Sequence, residues 1–275
     1  MTRRTMLTWM MGAGCSACLM GSYPVFIERY LVQFNRYRIP VANLPAAFQG
    51  LRIAQVSDAH CGRLMPRWFV NYLLERVNRA GADVIVCTGD YIHGRDAAQI
   101  EVVWPMLCEL RAPLGVYSVL GNHDHWGSAE RSLYWLERSG QNLRGKAIAL
   151  EKDGERLWLA GIGDLWEDPF PVDSVLSQIP ERDCRIVLAH NPDSADTPFS
   201  GRIDLMLSGH THGGQVRIPF GGAPVLPVKN KTYSSGLKMS TKQQRVFISR
   251  GIGWAIYPVR FNCYPEIPIL ELIRG

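Results

Sequence analysis

Beyond its first 38 residues this chain of 275 has almost no net charge: five arginines against one glutamate give the opening stretch +4 of the total +5, which leaves +1 for everything after it. A body so close to neutral has no basic stripe with which to follow a phosphate backbone, so no nucleic-acid partner is expected. A disulfide architecture is also missing. The seven cysteines stand at positions 15, 18, 61, 87, 108, 184 and 263, with no CxxC pair outside the opening stretch and no regular spacing, which excludes a disulfide framework. There is no internal repeat, no low-complexity run and, within residues 46–275, no linker that would divide the chain. The length therefore points to one large domain with a sizeable core.

The early charge surrounds an uncharged run. Met6 to Ile27 holds no charged residue, follows the pair Arg3-Arg4 and ends at Glu28. Thr2-Arg3-Arg4-Thr5-Met6-Leu7 resembles a twin-arginine export signal, and Gly12, Gly14 and Gly21 give the modest hydrophobicity such signals tolerate. At about 1.5 Å per residue the run is also long enough to span a bilayer. Residues 1–27 therefore read as a signal or membrane anchor, 28–45 as a juxtamembrane linker and 46–275 as the folded domain. The expected location is the cell envelope, membrane-associated or exported, with the cytoplasmic face of the inner membrane as the alternative.

The domain has two textures. Its first half alternates apolar strands at Leu51–Val56, Asp83–Thr88 and Val116–Leu120 with helical patterns over Pro66–Ala80, over Ala97–Leu110 and from a cap at Ser128 to a stop at Gly140. Right-handed crossovers should make those strands parallel. The second half is a series of short strands, among them Ala147–Glu151, Arg156–Ala160, Arg185–Ala189, Ile203–Leu207, Gln215–Ile218 and Val246–Ser249, with little helix except around Val172–Ile179. The fold class expected is a two-sheet α/β sandwich flanked by helices.

The chemistry gathers where strands end. Asp58 and His60, Asp90, Asn122 with His123 and Asp124, His190, and the pair His210 and His212 all follow apolar runs, and five of the seven histidines fall in these stretches. Singly each has a plain reading, Asp58 or Asp90 as a turn cap and His190 as a core histidine. Together, loops from the carboxyl ends of parallel strands converge on one crevice. Asp58, His60, Asp90, Asn122, His190, His210 and His212 offer three oxygen donors and four imidazoles, too many for one ion. Two divalent ions about 3.5 to 4 Å apart would use them all. Mixed oxygen and nitrogen donors without thiolate suit Mn, Fe, Zn, Co or Ni and do not choose among them. Cys61, next to His60, reads as a bystander, and His93 and His125 as solvated loop residues. Trp166, Phe220, Trp254 and Tyr257 read as core or rim aromatics.

The order DxH, GD, GNHD, an isolated His and GHTH resembles the motif set of the calcineurin-like metallophosphoesterases, and Leu188-Ala189-His190-Asn191-Pro192 with Gly209-His210-Thr211-His212-Gly213-Gly214-Gln215 resembles a bacterial phosphodiesterase branch of it over about residues 50–273. The resemblance implies that Asp58, His60 and His212 hold one metal and Asn122, His190 and His210 a second, with Asp90 bridging. It implies a hydroxide between the metals attacking phosphorus in line. It implies His123, supported by Asp124, at the leaving-group oxygen. The substrate expected is a phosphodiester, lipid-linked in one variant, and the membrane is a partner through the N-terminal segment. Alternatives are a pyrophosphatase on a nucleotide-linked lipid precursor such as UDP-diacylglucosamine, and a non-catalytic metal-binding interaction scaffold.

Overall fold

The computed structural model describes residues 21–275 together with Thr2 and Thr5. The expected export signal or anchor therefore lies mostly outside the described residues. Among these, no helix is long and apolar enough to cross a membrane.

Two mixed sheets pack face to face. The first has the order β1 (Gln33–Val41), β11 (Glu266–Arg274), β2 (Arg52–Val56), β3 (Val84–Cys87), β4 (Val116–Ser118). The second runs β5 (Ala147–Lys152), β6 (Glu155–Gly161), β7 (Cys184–Leu188), β8 (Leu205–Ser208), β10 (Arg245–Ile248), β9 (Gly236–Met239). Strands β2, β3 and β4 are parallel, as are β6, β7, β8 and β10. Parallel strands here are covered on both faces, which is why they read as unbroken apolar runs. Side chains alternate between the faces. Ile53, Val84 and Val86 point between the sheets, against Leu159, Ile186, Leu188, Leu207 and Phe247. Ala54, Val56, Ile85 and Cys87 point the other way, toward the helices.

Helix α1 (Arg67–Asn78) follows Pro66, whose fixed backbone suits a helix start, and buries Phe69, Val70, Leu73, Leu74 and Val77 on one stripe. Helix α2 (Ile100–Leu107) is shorter than its pattern suggests, because residues Ala97–Gln99 form a 3-10 turn before it. Helix α3 (Asn122–Arg138) starts six residues earlier than the expected cap. It kinks at Ser128, whose hydroxyl accepts from Arg131 N at 3.3 Å, so Ser128 caps only its second part. Helix α4 (Val172–Leu176) is brief.

Three departures from the sequence reading matter. The stretch 28–45 is not a linker: β1 within it pairs residue by residue with β11, from Gln33 with Glu266 to Val41 with Arg274. Its exposed arginines and Pro40 fit an edge strand, where one row of backbone donors needs no ladder partner. Residues 215–218 are no strand. They make isolated bridges, Val216 to Phe261 and Ile218 to Gly222, because Gly213, Gly214 and Gln215 all take positive φ and turn the chain. Strand β11, unmarked in the sequence, lies between β1 and β2. Its Pro268 is tolerated because pairing with β2 begins only at Ile269.

Candidate metal centre

Five strand ends meet along one edge of the sandwich. Strand β2 leads to Asp58 and His60, β3 to Asp90, β4 to Asn122 at the first turn of α3, β7 to His190, and β8 to His210 and His212. All seven side chains are buried. The donor atoms of Asp58, His60 and His212 lie within 4.8 Å of one another, as do those of Asp90, His190 and His210. Between the groups stands Asp90, whose Oδ2 is 3.2 Å from His190 Nε2 and 3.6 Å from His60 Nε2. Within the groups His60 Nε2 is 2.9 Å from His212 Nε2, and His210 Nδ1 is 3.1 Å from His190 Nε2.

Backbone geometry keeps this cluster tight. Asp58, His60, Asp90, His210 and His212 all have φ between 45° and 69°, a left-handed conformation that costs any residue with a Cβ. Five such residues among seven mark a place where the fold stores strain to aim side chains. Two glycines permit the approach. A Cβ on Gly121 would press on the Asp90 carboxylate and the His190 ring, and one on Gly209 on Ser57 and Asp58.

The outer contacts set tautomers. His190 Nδ1 donates to Thr88 O at 2.8 Å, so Nε2 is the nitrogen that faces Asp90 and His210. His210 Nε2 donates to Pro227 O at 3.0 Å, which turns Nδ1 inward. His212 is backed by Arg260, which is fully buried and donates to His212 O at 2.9 Å and to Arg250 O at 2.8 Å. Burial pushes the His60 and His212 imidazoles well below their ordinary range and takes His210 down to about 3, with the charge of His190 adding to the last. Those rings are neutral near pH 7, the form that ligates a metal. His190 differs: burial pulls it down, but Asp90 overcomes this and lifts it to about 10. A proton on His190 thus balances Asp90 where a cation would.

The donor set fits divalent metals on a further count. Asn122 Oδ1 is buried and has no hydrogen-bond partner among the described residues. Such an orphaned acceptor costs about 1–3 kcal/mol unless something binds it. Cys61 stays outside the cluster, as expected: it is buried, and burial raises its thiol to about 11, far from the thiolate that binds metal.

Beside the cluster, His123 Nδ1 accepts from Gly94 N at 2.7 Å, so its neutral ring carries the proton on Nε2. Burial lowers its pKa, which keeps it neutral at pH 7. The expected support from Asp124 takes another form. The Asp124 carboxylate accepts from Asp90 N, Tyr91 N and Gly121 N at 2.8 to 2.9 Å, with Ile92 N at 3.4 Å, and so fixes the Asp90 loop rather than the His123 ring. His125 is not a solvated loop residue, and His93, in a loop, is half-buried rather than free in solvent. His93 packs on both His60 and His123, at 5.7 and 5.8 Å between ring centres, and the His125 side chain is 6 % exposed beside Asp168. Trp166 stands edge-on to His210 and Trp126 leans on His123, so two half-exposed indoles flank the opening. Trp254 belongs to the core, against Tyr30 and Arg29, while Phe220 and Tyr257 are exposed.

Parallel strand ends that bring paired histidine and carboxylate clusters together define a dimetal hydrolase class, and the comparisons place the chain within it. The calcineurin-like phosphoesterase family matches residues 51–214. The chain is 32% identical over 285 residues to the metallophosphoesterase YkuE of Bacillus subtilis, covering 99% of this chain and 98% of that one. It is 31% identical over 227 residues to the phosphodiesterase YaeI of Escherichia coli, covering 81% and 82%. Among solved structures it is similar to a dimetal phosphatase from Danio rerio, with 12% identity, a TM-score of 0.44, and 74% of this chain and 88% of that one covered. The chain belongs to the calcineurin-like metallophosphoesterases. Family members normally use two divalent metals, and among the described residues three candidate ligand groups occur: the two fully buried ones above and a more exposed one of His60, His93 and His123.

Proposed function

We propose that the chain is a phosphodiester hydrolase, with Asp58, His60 and His212 holding one divalent cation, Asn122, His190 and His210 a second, and Asp90 shared between them. The observation that carries this is the position of Asp90 Oδ2, within 3.2 Å of a histidine of one group and 3.6 Å of a histidine of the other. Two divalent cations held there lower the pKa of water so that a nucleophile exists near neutral pH, and they offset phosphate charge.

The remaining work falls to the chain's own residues. His123 offers an Nε2 proton to the ester oxygen as negative charge builds on it, because Gly94 N occupies Nδ1 and burial prevents a permanent charge. A purely metal-binding scaffold has no use for an imidazole so fixed. Asp124 keeps the Asp90 and Gly121 loops in register. Trp126, packed on His123, and Trp166, edge-on to His210, offer exposed indole faces to a substrate beside the cluster. The phosphodiester preference is supported by the name of the YaeI relative. The uncharged run Met6–Ile27 after Arg3-Arg4 supports delivery to the envelope membrane through the twin-arginine route.

The test is hydrolysis of bis(p-nitrophenyl) phosphate by chain purified, stripped with chelator and reloaded with Mn. Turnover that returns on reloading and exceeds that on the nitrophenyl monoester supports the reading. Two bound metals with no turnover on diester, monoester or lipid pyrophosphate would leave the scaffold.

A further inference from the structure

We propose that one apolar face of the domain, next to the metal centre, rests in the interfacial zone of a lipid bilayer; this builds on the membrane placement proposed above. The face is assembled from three pieces. Residues 21–26 are helical and bring Phe26 to the surface, the loop after His212 brings Ile218, Phe220 and Val225, and the loop after Trp254 brings Ile256 and Tyr257. Hydrogen bonds lace these pieces together. Arg217 N donates to Phe261 O and Phe261 N to Gln215 O, both at 2.9 Å, the Gln215 amide bonds Ala255 N and O, and Arg260 N donates to Pro24 O at 3.1 Å. Tyr23 and Tyr264 meet through their hydroxyls at 3.1 Å. The patch is one surface and not scattered side chains.

Its exposure is built in. Val225 and Ile256 are each 72% exposed, and Phe220 is fully so. Phe220 and Ile256 take φ of 64° and 60°, positions that glycine fills without strain. A phenylalanine and a β-branched isoleucine accept that strain while packing against little of their own chain, so the gain that offsets it comes from outside. Contiguous exposed apolar side chains of this kind mark an interaction surface.

Two observations select a bilayer as the occupant. The face contains the end of the uncharged run Met6–Ile27, so the chain enters the domain through this patch. Neither residues 215–227 nor 255–261 contain an aspartate or glutamate, and of their two arginines Arg217 is half-buried at the surface while Arg260 is buried behind His212. An exposed apolar face without an acid suits a headgroup boundary. The consequence for catalysis follows from Pro227, whose carbonyl accepts from His210 at the end of the same loop. A phosphodiester carried by a membrane lipid reaches the cluster along this face, with its acyl chains still in the bilayer.

The test uses the full chain with Cys15, Cys18 and Cys108 changed to Ser, and with Phe220→Cys, Ile256→Cys or, as reference on the last residue of β5, Lys152→Cys, each labelled with bimane. Labelled chains whose Tm stays near wild type are reconstituted in phosphatidylcholine and phosphatidylglycerol vesicles, with or without bromine on the acyl chains. Quenching by brominated chains at 220 and 256, at least threefold greater than at 152, is the result expected. If the chain sediments with vesicles but the three labels quench alike, the leader holds the protein and this face does not meet lipid. If nothing sediments, the membrane placement falls with it. Shielding of labels 220 and 256 without lipid, in a chain that runs as a dimer, would assign the face to a second copy and overturn the proposal.

Discussion

Replacing Asp90 by asparagine isolates a single charge. The backbone accommodates it: Asp90 has φ of 57°, and asparagine is among the residues that enter the left-handed region most readily. The bond from His123 N to Asp90 Oδ1, 2.9 Å long, survives on the amide oxygen, and the bond from Asp90 N to Asp124 does not involve the side chain. The variant should fold. What disappears is the negative charge that faces both ligand groups. Two unit charges about 4 Å apart, in an effective dielectric of about 20, interact by about 4 kcal/mol, which is a factor of about 10³ in affinity. A divalent cation feels at least that much. Metal analysis should therefore find one tightly held ion per chain or fewer, and kcat/KM for the diester should drop by about 10³ or more. The metal-free protein gives a second readout. His190 has a folded pKa raised to about 10 from its ordinary 6.5, chiefly by Asp90 against the pull of burial. The stability this contributes is fully present below about pH 6.5 and is lost as pH rises toward 10. Metal-free Asp90→Asn should accordingly melt below metal-free wild type at pH 6, and the gap should shrink by pH 10. Two ions per chain with a near-normal rate would refute the bridging role, and a pH-independent Tm gap would refute the Asp90–His190 pairing.

Three further outcomes are expected. His123→Ala should keep its metal content and lose roughly 10² to 10⁴ in kcat on an alkyl diester, less on a nitrophenyl one; equal losses on both would remove the proton-donor role. Asp124→Asn should turn an amide NH2 toward two backbone donors that now share a carboxylate oxygen, a cost of about 1–3 kcal/mol for each one stranded, lowering Tm by roughly 2–4 °C per kcal/mol; an unchanged melting curve would show the loop does not depend on it. Arg3→Lys with Arg4→Lys should leave the protein in the cytoplasm on fractionation, and envelope localisation like that of wild type would remove the twin-arginine route.

Some of this molecule can be read from its residue types and some cannot, for a physical reason. Strands β2, β3, β7 and β8 are legible because a parallel strand covered on both faces must be apolar throughout. The residues that end them are legible because carboxylates, amides and imidazoles seldom gather at strand ends without work to do. Strand β1 escapes notice because an edge strand keeps Arg36, Arg38 and Pro40 at no cost. Strand β11 escapes because Pro268 and Glu266 look like breakers until Arg250, Asn35 and Tyr37 are seen around the glutamate. The support of the site is hidden more deeply. Its inner side chains are held from behind by Thr88 O, Pro227 O, Gly94 N and the amides at 90, 91 and 121. Every residue carries such groups, so no letter in the sequence marks them. Among the described residues some supports do show in the sequence: Asp124 and Arg260, whose targets are backbone atoms elsewhere, and Ser57, whose hydroxyl donates to the Asp58 carboxylate. That division explains how one chain can show its ligands plainly and conceal what gives each histidine its tautomer: the metals need particular side chains, whereas the supports need only a backbone atom in the right place, which the two sheets supply.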